Sequence, residues 1–289
     1  MANTNISDSA ILTNMLQEAV FTESEKQIAD KVFKTYDMSG TPGLTAQIPV
    51  YPEIAAQERN QTTDVTDTDF SISSVTVDAA EIQARIDVSD LLQESTARNM
   101  GSDVGQMIGS AIAEKVDSNA FGLFTEANIA QDVGDNDAAL TPDTLLQGVY
   151  KLRENNAPTD GEGDYHCVLH PGQAYKLASA LAGAGYGTSA NAISNVGNQL
   201  LSSSAYVGRL FNVKIFSSTA IPADSVATDA NGCVFSPSAF AFVLKRPLRI
   251  ESQRDASFRH TEFVGSTAVA SAVVKASYAV RVKSTKGIE

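Results

Sequence analysis

The sequence predicts an α+β chain: a strand-built arm feeds one long helix, a mixed β/α body follows, and strands return at the end. Three observations carry this. Residues Ala80 to Ser89 alternate, with Ala80, Ile82, Ala84, Ile86 and Val88 facing one way and Glu81, Gln83, Arg85, Asp87 and Ser89 the other, the period of a half-buried strand. From about Ser95 to Phe124, Met100, Val104, Met107, Ile108, Ile112, Val116, Ala120 and Phe121 recur at spacings of three and four, the period of a helix. Strand and helix patterns then alternate over about residues 141–236.

Through about Gly43 the chain reads as two short amphipathic helices. Ile11, Leu12, Met15, Leu16, Ala19 and Val20 form one stripe. Thr22 and Glu25 have capping-box spacing and open a second helix with Ile28, Val32, Phe33 and Tyr36 on its face. Each stripe is too small to hold a fold, so residues 1–43 read as an arm that docks elsewhere, for example on a neighbouring copy. Ser39-Gly40-Thr41-Pro42-Gly43 then breaks the chain.

Leu44 to Tyr51 is a strand containing Pro49, which cannot donate to a ladder and so belongs at an edge or in an exposed hairpin. Glu53 to Asp69 is polar and acidic, with Asp64, Asp67 and Asp69 spaced through threonines, and a returning strand starts at Phe70. The region reads as a long projecting hairpin of the kind that carries function.

The long helix would span roughly 45 Å at 1.5 Å per residue. Gly101, Gly105, Gly109 and Ala113 recur every four residues on a second line. An interior glycine costs about 1 kcal/mol relative to alanine, so close approach of another backbone is expected along that line. Asp103, Gln106, Glu114 and Lys115 argue against a membrane glycine zipper.

Thr141-Pro142 is an N-cap with proline at the first helical position, and the helix it opens is expected to bury Leu145, Leu146, Val149 and Leu152. A strand at Tyr165 to Leu169, a helix after His170-Pro171-Gly172, a small-residue tract from Gly183 to Gly197 and a strand at Arg209 to Phe216 follow. Phe240, Phe242, Leu244, Leu248, Ile250, Tyr278, Val280 and Val282 mark C-terminal strands. These are expected to rejoin the sheet crossed by the long helix, making the second domain an insertion.

With 289 residues, 43 % apolar and 19 % charged, the chain can bury one large core or two modest ones. A formal net charge of −13 lacks the cationic footprint of a nucleic-acid grip and disfavours anionic membranes. The N-terminus shows no positive segment followed by an apolar one, and no stretch approaches the roughly twenty apolar residues of a membrane span. The expected setting is a cytoplasm.

His166, Cys167 and His170 are the candidates for nucleophilic or metal chemistry. Successive strand residues face opposite sides, so His166 and Cys167 cannot pair directly, and no orienting group is evident. Asp132 to Asp137 superficially resembles a calcium loop but lacks the glutamate and ligand spacing. Gly183-Ala184-Gly185-Tyr186-Gly187 follows a helix rather than a strand and lacks the Lys-Ser/Thr partner of a phosphate loop. Arg85 with Asp87, and Arg249 with Glu251, are placed for ion pairs or for a solvated polar face. Cys167 and Cys233 read as small buried residues; their spacing excludes a metal-ligand set but leaves a disulfide open. No catalytic, cofactor-binding or metal residue is assigned, and no cofactor is expected.

In this order of parts the chain resembles the major capsid proteins of tailed bacteriophages, with the Hong Kong 97-like fold. TAQIPVYPEI (Thr45 to Ile54) is similar to the start of that family's E-loop, and AEIQARIDVSDLLQES (Ala80 to Ser95) to the strand and turn before the spine helix. HCVLHPGQAYKL (His166 to Leu177) and GRLFNVKIFSSTAIP (Gly208 to Pro222) resemble axial-domain segments. SPSAFAFVLKRPLRIESQRD (Ser236 to Asp255) resembles the return to the peripheral domain.

The resemblance implies an N-terminal arm (1–43), an E-loop (44–79), a peripheral domain with the spine helix (80–140), an axial domain (141–240) and peripheral C-terminal strands (241–289). It implies self-assembly as hexamers and pentamers into an icosahedral shell enclosing DNA. Partners would be further copies of the chain, with a separate scaffolding protein, a portal and decoration proteins. The setting would be the virion, assembled in host cytoplasm. Between Leu44 and Asp90 there is no lysine, so covalent linking through an E-loop lysine does not transfer. The alternatives are an encapsulin-like compartment shell and a small α/β enzyme using His166, Cys167 or His170.

Overall fold

The computed structural model describes residues 4–52, 54, 56, 58, 71–95, 100–183, 206–223 and 228–287. In chain order the elements are α1 (Thr4–Lys26), α2 (Ala29–Val32), β1 (Lys34–Asp37), β2 (Thr45–Val50), β3 (Ser73–Asp78), β4 (Ala80–Ser89), α3 (Asp90–Ser95), α4 (Met100–Phe121) and β5 (Asp132–Val133). There follow α5 (Pro142–Glu154), β6 (Tyr165–Leu169), α6 (Pro171–Gly183), β7 (Tyr206–Leu210), β8 (Val213–Ser217), β9 (Asp229–Phe235), β10 (Phe240–Asp255), β11 (His260–Val273) and β12 (Ala279–Thr285).

The alternating run is β4. It pairs antiparallel with β11, from Ser89 against His260 to Ala80 against Val269, in a sheet ordered β1-β10-β11-β4. Its apolar residues face α4, which crosses this sheet so closely that a β-carbon on Gly265 would collide with Ile108. The register of β10 against β11 slips around Arg246 and Arg249, where Pro247 cannot donate to the ladder.

The glycine line of α4 meets α1. A β-carbon on Gly105 would stand 2.5 Å from the carbonyl oxygen of Met15, and one on Gly109 would overlap Ala19. Both pairs advance together, so α1 and α4 run side by side in the same direction. Met15, Ala19, Ile28, Ala29, Val32 and Phe33 are buried in the resulting core. The expectation of an arm that docks elsewhere is therefore corrected for residues 15–33, which pack on their own chain.

The helix boundary also moves. α1 continues through Thr22, which is buried inside it, so Thr22 is not a cap. The break falls at Gln27–Ile28, where the Asp117 carboxylate on α4 accepts from the N–H groups of Ile28 (3.1 Å) and Ala29 (3.0 Å). Tyr36, expected on a helix face, lies on β1, paired parallel with β10. The long helix ends earlier than its pattern, at Phe121 rather than Phe124, and is described from Met100.

The second body is a sheet ordered β5-β12-β9-β6-β8-β7, with α5 and α6 packed on it. Thr141 Oγ1 accepts from the N–H of Thr144 at 3.3 Å, capping α5 as expected. Leu145, Val149 and Leu152 are buried, but Leu146 is exposed, because i, i+4 and i+7 share one helix face and i+1 turns about 100° away from it. The single strand expected at Arg209 to Phe216 is a hairpin. Phe211 and Asn212 both have positive φ (54° and 61°), the turn geometry that matches strand twist.

The last strand departs from expectation too. Only β10 and β11 rejoin the sheet crossed by α4, while β12 pairs with β9 and β5 in the second body. Val280 and Val282 are buried there on one face and Arg281 on the other, an environment a half-exposed sheet edge could not supply. Phe33, Phe124, Phe235 and Phe240 pack between the two bodies, with Phe33 stacked on Phe240 at 4.7 Å and Phe235 edge-on to Phe240 at 5.0 Å. The acidic stretch 53–69, the strand start at Phe70 and, beyond Gly183 itself, the tract Gly183 to Gly197 lie largely or wholly outside the described residues.

Candidate functional site

His166 and Cys167 lie on opposite faces of β6, as strand geometry requires. His166 Nδ1 is 2.9 Å from the carbonyl oxygen of Val32, and Nε2 is 3.4 Å from Asp160 Oδ2, so the ring ties α2 to the second sheet. Cys167 faces the core under α5 and α6, and burial pushes its thiol well above the ordinary range. His170 sits beyond the strand end, where its Nδ1 accepts from the N–H of Gly172 at 3.2 Å. Burial, then the charge of Lys286, pushes His170 down. The three residues do not converge on one point.

Cys233 is paired in register with Val168, and Cys167 with Val234. The two thiols therefore project from opposite faces of the sheet and are both free. That resolves the open disulfide against pairing.

The acidic groups are built into ion pairs. Asp132 Oδ2 lies 2.5 Å from Lys283 Nζ and 3.5 Å from the buried Arg281, and the Asp132 carbonyl accepts from Lys151. That commits Asp132 to neighbours outside the 132–137 run, and the N–H of Asp137 donates to Asp229. Asp160, Glu162 and Asp164 cluster within ligating reach, but Lys214 bonds Asp160 and Glu162 at 2.7 Å each and Arg209 reaches Asp164 at 2.6 Å. Burial would raise the Asp160 carboxyl. The hydrogen bonds from Lys214 and from the N–H groups of Asp164 and Glu162 nevertheless hold it far below its ordinary range.

A second cluster, Asp87, His260 and Glu262, lies across β4 and β11. Asp87 and Glu262 are directly opposite, a repulsive arrangement for like charges. Arg85 resolves it, binding Asp87 at 3.0 Å and Glu262 at 2.8 Å. Positive charge already sits where a cation would go. Arg249 and Glu251, also expected to pair, are 3.4 Å apart within β10.

What the described surface offers instead is contact area. The β2–β3 hairpin buries Ala46, Ile48 and Val77 against Ala241 and Val243, while Leu44, Tyr51, Ile54 and Ile72 on or beside it are exposed. Leu91, Leu92 and Phe258 are exposed at the far tip of the first sheet. There the N–H of Asp90 donates to the Arg259 carbonyl, and Arg254 clasps the Asp90 carboxylate. On α5, Leu146 and Tyr150 stand one turn apart and exposed. Arg246 with Glu81, and Lys245 with the Thr41 carbonyl, fasten the neighbouring segments to β10. Gln173, which the sequence reading missed, is fully buried. It donates to the carbonyl of Ala230 (2.7 Å) and to Ser284 Oγ (2.8 Å), locking α6 to β9 and β12.

No helix among the described residues is long and apolar enough to cross a membrane. No curated protein matches the sequence. Among solved structures, the fold is similar to the capsid of cyanophage P-SCSP1u (16 % identity, 90 % of this chain and 89 % of that one, TM-score 0.66). It is similar to the capsid of Ralstonia phage GP4 (10 % identity, 89 % and 87 %, TM-score 0.66). It is also similar to a virus-like particle from Pyrococcus furiosus (12 % identity, 93 % and 98 %, TM-score 0.58). At such identities the likeness speaks for the fold, which is Hong Kong 97-like. A family model described as "Phage capsid protein" matches residues 71–283, and the chain accordingly belongs to that family as a shell-forming major capsid protein.

Proposed function

We propose that copies of this chain assemble as hexamers and pentamers into a closed icosahedral shell around phage DNA, in host cytoplasm, and that the chain carries out no reaction of its own. The observation that carries the reading is the separation of its exposed apolar groups. The hairpin, the tip bearing Leu91 and Phe258, and the α5 face bearing Leu146 and Tyr150 are distinct patches on different elements. A ring of subunits needs two unlike faces per copy, and a shell of rings needs more. A pair of identical copies would need a single one.

The domain assignment follows the two sheets. Residues 80–121 and 240–273 would form the peripheral domain with α4 as its spine, and residues 132–235 with 279–285 the axial domain near capsomer centres. The β2–β3 hairpin would be the E-loop reaching a neighbour. The net charge of −13 suits a lining that encloses DNA without gripping it. A separate scaffolding protein, a portal and decoration proteins are the further partners of this reading.

The commitment of His166 to Val32 and Asp160 and of Cys167 to the core, with His170 set apart from both, supports the non-catalytic role. The compartment-shell alternative is less favoured, since the family match is to phage capsids. Negative-stain microscopy of the purified protein tests the reading: closed particles are expected, and monomers at every concentration and salt would overturn it.

A further inference from the structure

A cavity of about 260 Å³ opens between the C-terminal half of α1 and β10. Its walls include Val20 from α1 and Phe242, Leu244 and Leu248 from β10, and two carboxylates reach it, Glu23 from α1 and Asp30 from α2. Neither carboxylate has an ion-pair partner within 4 Å among the described residues, and Asp30 Oδ1 is buried with no hydrogen-bond partner.

The nearby cations are engaged elsewhere. Lys31, whose charge Asp30 feels, donates to the carbonyls of Ser24 and Glu25 at 2.6 and 3.4 Å. Lys26 donates to Ser110 Oγ at 2.7 Å, and Lys34 lies over the Tyr36 ring. β10 and β11 line the cavity with no titratable group. On α4, Asp117 is turned to the N–H groups of Ile28 and Ala29.

Two like carboxyls thus share a largely apolar recess. The Asp30 carboxylate accepts the N–H of Lys31 and feels its charge, but neither carboxyl has a cation in direct contact among the described residues, an arrangement that is costly unless something completes it. Burial, and then the charge of Asp30, pushes Glu23 up to about 7. The recess is smaller than the roughly 300–1,000 Å³ of small-molecule sites. It suits one long side chain whose apolar stem is covered while its charged head is paired.

We propose that this recess is a socket between copies of the chain: in the assembled shell it receives a lysine or arginine of a second copy. The stem lies against Val20, Phe242 and Leu248, and the cation sits between Glu23 and Asp30. The inference rests on the shell-forming function, which is also why the occupant is a second copy. In a closed assembly neighbouring subunits press on one another's recesses, and a basic side chain is the complement this one lacks.

A socket of this kind gives opposite signs before and after assembly. In the lone subunit Glu23→Gln with Asp30→Asn removes uncompensated buried charge and leaves the melting temperature at pH 8 equal or higher. In the shell the same change strands the incoming cation. The protein concentration for half-assembly, read by light scattering and checked by negative-stain microscopy, rises about tenfold or more. Glu23→Gln alone gives a smaller rise.

A half-assembly concentration equal to or below wild type in both variants overturns the socket. So does a lower melting temperature of the variant subunit, which would show the charges already partnered within the chain. Should the double variant fail to fold, proton release decides the matter. Wild-type assembly near pH 7 in weak buffer releases protons as the entering cation ionises Glu23, and Glu23→Gln releases fewer; equal release refutes the proposal. Absence of particles from the wild type would instead overturn the shell function, and the socket with it.

Discussion

A β-carbon on Gly105 would stand 2.5 Å from the carbonyl oxygen of Met15, so α4 accepts α1 only because this position has no side chain. The interior glycines of α4 cost helix propensity, about 1 kcal/mol each, and backbone-to-backbone packing offsets that cost. Gly105→Ala gains the propensity but forces apart two backbones that cannot yield. We expect net destabilisation of about 1–3 kcal/mol, and more for Gly105→Leu. Thermal unfolding followed by circular dichroism checks this, and an unchanged melting temperature would contradict it.

Asp117 caps α2 from a different helix. Asp117→Ala leaves the buried N–H groups of Ile28 and Ala29 without an acceptor and should cost about 2–3 kcal/mol. Asp117→Asn keeps an acceptor oxygen and should cost less than half of that. Urea titration of the unassembled subunit measures the difference.

The same region sets a pH dependence. Burial pushes Asp117 up to about 6, against the cap hydrogen bonds, and Glu23 up to about 7. Carboxyls raised in the fold hold their protons more tightly folded than unfolded. Their contribution is fully present below about pH 4 and is lost as pH rises through 6 to 7. The melting temperature of the unassembled subunit should therefore carry a falling component between pH 5 and 8, and Glu23→Gln should flatten it. A wild-type minus Glu23→Gln difference that is constant with pH would refute this.

Both thiols are buried and pushed up by that burial, so neither is a ready nucleophile. A maleimide or disulfide reagent should label neither cysteine in the native subunit and both after unfolding. Rapid native labelling of Cys167 would reopen the enzymatic reading.

Leu91 and Phe258 make no demand on the subunit's own core. Leu91→Ser with Phe258→Ser should leave its stability within about 0.5 kcal/mol while reducing particle yield. Normal yield would remove this tip from the contact faces.

Much of this architecture was legible in order along the chain. The run Ala80 to Ser89 gave a strand with the right ends because a period of two leaves one solution for a half-buried segment. Thr141-Pro142 marked a helix start because capping is local chemistry. The glycine line of α4 announced a close backbone neighbour because nothing else compensates four small residues in a helix. The same pattern could not say which backbone. That α1 of the same chain fills it depends on a meeting between residues ninety positions apart.

Other features failed for the same reason. Thr22 and Glu25 have cap spacing, yet the real break lies five residues on, where Asp117 reaches in. The Phe211-Asn212 turn carries no glycine, so its positive φ angles were invisible. β12 alternates like its predecessors, and only the burial of Arg281 against Asp132 and of Val280 and Val282 under α5 draws it into the other sheet. The candidate chemistry at His166 and Cys167 was answered by geometry as well: one residue faces α2, the other the helical core.

By itself, then, the sequence determined the periods and the local cap at Thr141, and with them the α+β class and the ordered parts of a shell subunit, since each of these depends on neighbours a few residues apart. The tertiary structure alone decided which surfaces are shared and which stay open. It seated α1 on α4, gave β12 to the second body, and brought Glu23 and Asp30 together in a largely apolar recess with no ion-pair partner within 4 Å among the described residues. Those outcomes turn on burial and charge between distant segments, quantities that exist only once the chain has folded.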